Sequence, residues 1–395
     1  MNRFELALTR LVLGLVAFVA QRLALKNEVL FASSRGRALG PQLAALSAAI
    51  REATPERTQR VALAPYGYGI TSKLRYLFHL IGATWALHRA KVTIIDNAWL
   101  PVHITTRRSD SRVFQVWHAE GAYKRFGHAS RGASSLADGA LRPFMHRGYD
   151  AALVSSEEVR TAYAEAFQMS EERVYAVGPL HCAWLASESH VAARAAALRD
   201  LYPSLKGRRV LLYAPTFRGR GVSRRTALAI SPDAIASSLP TGWIVLIKAH
   251  PLVPITDTAT HPSCLIVDRR TPVEELFPVA DALFTDYSSS VFLWSLLSRP
   301  LLLAIDDIAE YSDDPGLFAD LSASDGIGQR VSTADDVAAL LAGITARGDA
   351  VSRERYHAFA ERYLGPRAEL DRAPARAAAL ILGERFPAQR RSERQ

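Results

Sequence analysis

Short apolar runs alternating with helix-period stretches along 395 residues predict an α/β protein with two parallel sheets, each covered by helices on both faces. The length suits two domains of ordinary size, each with its own core. Two motifs, Trp117-His118-Ala119-Glu120-Gly121 and Asp286-Tyr287-Ser288-Ser289-Ser290, each follow a run of β-branched and aromatic residues and precede helix-like sequence. Each motif is therefore expected at the carboxyl end of a buried strand, where open α/β sheets hold ligands. Two facing Rossmann-like domains with a ligand cleft, the arrangement called GT-B, satisfy all three observations.

Strands in the first half are expected at 28–33, 61–64, 92–96, 112–117, 151–155 and 173–177, with helices such as 70–89 and 156–167 between them. The second half repeats the alternation at 209–214, 242–248, 264–267, 281–285 and 301–305. The polar, helix-rich stretch 178–203 marks the boundary, giving domains 27–190 and 191–350. Segment 351–395 closes the chain with helices 352–364 and 367–382, broken by Gly365-Pro366, and a basic tail carrying Arg385, Arg390, Arg391 and Arg394.

Segment 1–26 is expected to be an amphipathic helix at a membrane interface. Residues 11–20 are uninterrupted apolar sequence, flanked by Arg3 and Arg10 before and Gln21, Arg22 and Lys26 after. Spanning a bilayer takes about 20 apolar residues, so this run is too short. Phe18-Val19-Ala20 is a poor signal-peptidase site. On a helical wheel Arg3, Arg10, Gly14 and Gln21 share one narrow stripe and the rest is Leu, Val, Ala and Phe, which suits a helix lying among lipid head groups. The alternative is a helix docked on the protein's own core.

Apolar residues at 49% and charged residues at 22% exclude a disordered chain. A formal charge of +9 favours anionic partners: nucleic acid, acidic lipid or phosphorylated substrates. The two cysteines, Cys182 and Cys264, have no CxxC spacing, which argues against a disulfide framework or zinc site and fits a reducing cytosol. Gly67-Tyr68-Gly69 lacks the third glycine and acidic partner of a dinucleotide fingerprint, and no Walker A sequence is present. Hydride transfer and P-loop chemistry are therefore poor fits.

Four strand ends carry the chemistry. His118 follows Gln115-Val116-Trp117, and the succeeding Gly121, Tyr123, Lys124, Arg125 and Gly127 read as polar or flexible. A neutral imidazole there can accept a hydroxyl proton, with Glu120 near enough in sequence to orient it. Tyr213-Ala214-Pro215-Thr216-Phe217-Arg218 ends a buried strand in a hydroxyl and a guanidinium, whose planar fork binds two phosphate oxygens at once. Arg220, Arg224 and Arg225 read as a solvated basic loop. Lys248-Ala249-His250-Pro251 ends another strand, and its alternating Lys248 and His250 can stabilise charge on a leaving group. Ser288, Ser289 and Ser290 offer more hydroxyls than one helix cap needs, so a phosphate can share the first-turn N–H groups. Asp306 and Asp307 follow the next strand, where a carboxylate can grip ribose hydroxyls. His79, His88, His146 and His190 have no comparable context and are given no role.

Together these residues resemble the CDP-glycerol glycerophosphotransferase family of teichoic-acid primases and polymerases. Its tryptophan-histidine-glycine motif is matched by Trp117 to Gly121 with Lys124 and Gly127, its Tyr-Ala-Pro-Thr-aromatic-Arg motif by Tyr213 to Arg218, its strand-ending His-Pro by His250-Pro251, and its Asp-Tyr-Ser-Ser motif by Asp286 to Ser289. Arg299-Pro300 and the strand after it also fit, so the resemblance runs from about Lys26 to Val331. It implies transfer of an alditol phosphate from a CDP-alditol to a hydroxyl of a lipid-linked or polymeric acceptor, with CMP released. The first domain would then take the acceptor and the second the CDP-alditol. The chain would sit peripherally on the cytoplasmic face of the membrane through its N-terminal helix, in teichoic acid or capsule-type polymer synthesis, with no nucleic-acid partner.

His118 would be the general base and His250 would stabilise or protonate the CMP side. Arg218 and Ser288 to Ser290 would hold the pyrophosphate. Glu120, Gly121, Lys124, Thr216, Lys248, Asp286 and Asp306 complete the expected substrate-binding set. No carboxylate cluster calls for a metal and no cofactor is expected. Two departures stand out: Ala119-Glu120 replaces the commoner Gly-Thr, and His181 and Ala183 stand where many members carry arginine and aspartate. The alternatives are a GT-B glycosyltransferase using a nucleotide sugar, and a peripheral protein that only binds anionic polymer or nucleic acid.

Overall fold

The computed structural model describes residues 3–65, 69–131, 140–218, 225–226, 230–248, 259–268, 270–323, 325–347 and 351–383. Six strands form the first sheet: β1 (Lys26–Ser33), β2 (Thr58–Leu63), β3 (Ala90–Ile95), β4 (Arg112–Gln115), β5 (Ala151–Val154) and β6 (Val174–Ala176), in the order β2-β1-β3-β4-β5-β6. Then come β7 (Arg209–Ala214), the short antiparallel pair β8 (Phe217–Arg218) and β9 (Arg225–Thr226), β10 (Trp243–Ile247), β11 (Cys264–Ile266), β12 (Ala282–Thr285), β13 (Leu301–Leu303) and β14 (Gly328–Arg330). The second sheet runs β11-β10-β7-β12-β13-β14. Its strands pair in parallel, as do β1 to β5 in the first sheet.

The second order is the Rossmann order 3-2-1-4-5-6, with its switch point between β7 and β12. In the first sheet the order reverses between β1 and β3. The fold is therefore α/β with two Rossmann-like parallel sheets, the GT-B class. β10 and β13 are apolar throughout because both faces are covered: Trp243 to Ile247 and Leu301 to Leu303 are all buried.

The chain divides into two compact units, one of residues 1–118, 140–153 and 372–395, the other of 119–139 and 154–371. This differs from a boundary near residue 190, and tertiary bonds explain why. Within the second unit Ser155 Oγ donates to the Tyr363 carbonyl (2.7 Å), and Arg367 donates to the carbonyls of Ala186 (2.6 Å) and Leu296 (2.8 Å). In the first unit the helix Ala373–Leu382 packs on the helix Pro41–Ala53. The N-terminal helix Arg3–Ala20 belongs to the first unit's core, where Leu6 and Leu13 meet Leu80 and Ile104. Among the described residues no helix is long and apolar enough to cross a membrane.

Candidate functional site

In the first unit, β1 and β3 end at the switch point in polar sequence. Ser33, Ser34 and Arg35 follow one strand, Asp96 and Asn97 the other. The Ser34 N–H donates to Asn97 Oδ1 (3.4 Å), and Asn97 Nδ2 donates to Ser34 Oγ (2.5 Å). Beside them β4 ends at Gln115, the Val116 N–H still reaches the Ile95 carbonyl (2.8 Å), and Trp117 then turns the chain with φ +52°. That turn presents His118, whose Nδ1 lies 3.1 Å from the Asp96 carbonyl.

A carbonyl can only accept, so Nδ1 carries the proton and the lone pair is on Nε2. Burial, with the Arg35 charge adding to it and the Asp96 carbonyl opposing, pulls the His118 pKa down to about 3. His118 is thus a neutral acceptor at physiological pH. Burial also raises the Asp96 carboxyl, against its bonds from Ser33 and the charge of Arg35. Arg35, Asp96 and Asn97 escaped the sequence reading. The signal for the last two was a polar pair closing an otherwise apolar strand.

Glu120 is the partner of the His118 ring expected from the sequence; within the first unit the Asp96 carbonyl holds its Nδ1. Glu120 lies in the second unit, is 9% exposed, and faces His181 at 3.3 Å (Oε1 to Nδ1). Burial pulls the His181 pKa down, but the Glu120 carboxylate, helped by Glu274 and Glu275, outweighs it and the net shift is upward. The two departures from the family pattern are therefore partners.

Gly121 has φ +64°, and a Cβ there would lie 2.4 Å from the Phe292 ring. Its N–H donates to Ser155 Oγ (3.2 Å), while Tyr163 Oη donates to the carbonyls of Ala119 (2.7 Å) and Gly121 (3.1 Å). This segment is packed core, not the flexible loop its composition suggests, and Tyr123 is 2% exposed. Lys124 places its ammonium 5.4 Å from the centre of the Tyr311 ring and bridges to Leu317.

At the β7/β12 switch point, the Asp286 carboxylate accepts from the Thr216 N–H (2.9 Å) and the Thr216 hydroxyl (2.8 Å). Both residues are buried, so the pair braces the two strand ends. Tyr287 is fully buried, stacks on Tyr311 at 3.7 Å and donates to Asp307 (2.8 Å). Ser288 Oγ accepts from the Ser290 N–H (3.3 Å) and lies 2.8 Å from Ser290 Oγ. Two of the three serines thus serve the start of the helix Ser290–Trp294, and Ser289 makes no capping bond.

On the neighbouring β10, the Lys248 N–H bonds the Tyr213 carbonyl (2.9 Å). Burial lowers the Lys248 ammonium pKa, against the charges of Glu274 and Asp268. Asp306 is exposed past β13 and accepts from Ser332 Oγ (2.7 Å). Arg218 lies on β8 with its side chain outside the described residues, and so does all of His250. The structure thus brings Thr216, Asp286, Ser288, Ser289 and Ser290 together in the second unit, with Lys248 one strand away.

Residues 15–366 match the family model described as CDP-glycerol:poly(glycerophosphate) glycerophosphotransferase. A teichoic acid ribitol-phosphate primase of Bacillus spizizenii is 29% identical over 248 residues, 62% of this chain and 64% of the relative. A teichoic acid glycerol-phosphate primase of Bacillus subtilis is 27% identical over 243 residues, 60% of this chain and 62% of the relative. The chain thus spans under two thirds of the length of these curated relatives. The solved structure of the wall teichoic acid polymerase TagF superposes with a TM-score of 0.71 at 18% identity, covering 96% of this chain and 97% of the other, and so has the same fold.

Proposed function

The chain belongs to the CDP-glycerol:poly(glycerophosphate) glycerophosphotransferase family, and from that membership we propose that it transfers glycerol or ribitol phosphate from a CDP-alditol to a hydroxyl of a lipid-linked or polymeric glycan acceptor, releasing CMP. The product would be a teichoic-acid or capsule-type cell-surface polymer. The observation that carries the reading is the His118–Asp96 bond, which fixes a neutral imidazole with its lone pair on Nε2. Nε2 takes the proton of the acceptor hydroxyl, and the oxygen attacks the alditol-bearing phosphorus. The bond from that phosphorus to the CMP oxygen breaks, and CMP leaves. In the second unit Lys248, Ser288, Ser289 and Ser290, with Arg218 and His250, bind the pyrophosphate and neutralise the charge growing on CMP. The Thr216–Asp286 brace holds that loop in place. A nucleotide-sugar glycosyltransferase is not favoured, because the family model covers residues 15–366.

The membrane is the second partner in this reading. The helix Arg3–Ala20 buries Leu6, Leu13, Ala17 and Ala20 and leaves Phe4, Leu8, Leu11, Leu15 and Phe18 exposed. The helix Ile70–Leu87, packed beside it, exposes Leu74 and Phe78. One face of the helix docks on the protein and the other remains apolar and exposed. With Arg3 and Arg10 on the same helix, this face suits the acidic cytoplasmic side of a membrane.

The test is nucleotide release by purified protein given CDP-glycerol, then CDP-ribitol, with detergent-solubilised lipid acceptor. CMP from either donor supports the reading. UDP from a UDP-sugar, with no CMP, contradicts it.

A further inference from the structure

We propose that Tyr149 and His146 are positioning residues for His118, acting through the indole of Trp117. Neither is within the strand-end motifs, and His146 has no context in the sequence. In the first unit the two residues share a buried cluster directly behind the base.

Trp117 is the link. Its ring centre lies 4.4 Å from that of His118, and it meets His146 edge-on at 5.8 Å. The backbone of Trp117 is left-handed, a conformation that a non-glycine residue keeps only where the surroundings impose it. Gln115 supplies one restraint: its Oε1 accepts from the Trp117 N–H (2.9 Å) while its Nε2 donates to the Asn97 carbonyl (3.1 Å). The aromatic cluster supplies the other.

The cluster's protons follow from its partners. His103 Nδ1 faces the Arg147 carbonyl at 3.1 Å and so carries hydrogen, leaving a lone pair on Nε2. Tyr149 Oη lies 3.4 Å from that Nε2 and 3.1 Å from His146 Nδ1, and it also bonds the Gln115 side chain. His103, His146 and Tyr149 are 5%, 5% and 3% exposed, and burial holds the Tyr149 phenol in its protonated form. The Tyr149 hydroxyl thus ties His146 to His103 and to Gln115, and the His146 ring is also held by a left-handed backbone at φ +58°. The His146 ring stops the indole edge, and the indole face stops the imidazole of His118.

Tyr149→Phe removes one hydroxyl and keeps the ring. The primary readout is the pair of His118 nitrogen resonances in ¹⁵N-histidine-labelled protein without substrate. This readout is independent of the proposed reaction. In the wild type they report a neutral ring protonated on Nδ1. In Tyr149→Phe they are expected to move toward the average of the two tautomers. The inference rests on the reading of His118 as base only for its kinetic consequence, a fall in kcat for CMP release from CDP-glycerol of about tenfold with KM within about twofold, the pattern of a misplaced base. Ile235→Ala, a cavity in the second unit, is the control for lost stability and should leave the His118 resonances unmoved. His118 resonances that stay at their wild-type positions in Tyr149→Phe would overturn the proposal. If the wild type releases no CMP, the functional reading fails and the nitrogen resonances still decide this one.

Discussion

Thr216 and Asp286 close the switch point of the second sheet: the threonine N–H and hydroxyl both donate to one buried carboxylate, at 2.9 and 2.8 Å. A carboxylate with two such bonds braces the ends of β7 and β12. Asp286→Ala should destabilise the protein by about 2–4 kcal/mol, because it strands a buried N–H and hydroxyl as well as losing charge-assisted bonds. Urea denaturation measures this. A loss below about 0.5 kcal/mol would mean the bonds are not made in solution.

Gly121 is fixed by two independent constraints, a left-handed backbone and the Phe292 ring. Gly121→Ala should cost about 1–2 kcal/mol for the conformation, and about 1–3 kcal/mol more for overpacking. Combining it with Phe292→Leu should recover part of the packing cost and none of the conformational cost. A denaturation cycle over the four proteins separates the two.

The Glu120–His181 pair predicts a pH dependence. The His181 pKa is raised on folding above its ordinary value of 6.5. A raised histidine binds protons more tightly when folded, so its stabilisation is complete below pH 6.5 and fades as pH rises through the folded value. Unfolding free energies of wild type and His181→Gln should therefore differ most below pH 6.5, and the difference should shrink as pH rises through the folded value. A gap that widens with pH would give the pair the opposite sign.

The exposed apolar face of the first unit predicts membrane binding. Leu11→Glu with Leu15→Glu should leave folding intact, since both side chains point away from the core, and should abolish co-sedimentation with anionic vesicles. Wild-type sedimentation by the double variant would remove the face from the account.

Much of this fold was legible because buried parallel strands are apolar without interruption. The stretches that became β7, β10, β12 and β13 are such runs, and the structure places each within two residues of its expected bounds. β14 is Gly328-Gln329-Arg330 at a sheet edge, where one-sided pairing with β13 makes the strand and no apolar run announces it. The expected strand 112–117 stops at Gln115, since the turn at Trp117 is imposed by tertiary partners. The site divides the same way. The strand-end motifs could be read in order, but what holds them could not. Nothing local links His118 to Asp96, Glu120 to His181, or Trp117 to His146, because each pair meets only after the chain has folded.

If His118 takes the acceptor's proton during phosphate transfer, its loss should slow the reaction and spare donor binding. The most direct measurement compares acceptor-dependent CMP release by wild type and His118→Ala, at saturating CDP-glycerol or CDP-ribitol, with donor binding measured alongside. With His118 as the base, kcat falls by at least about 10²-fold while donor affinity stays within about threefold, the signature of a lost general base. Near-wild-type turnover by His118→Ala would contradict it.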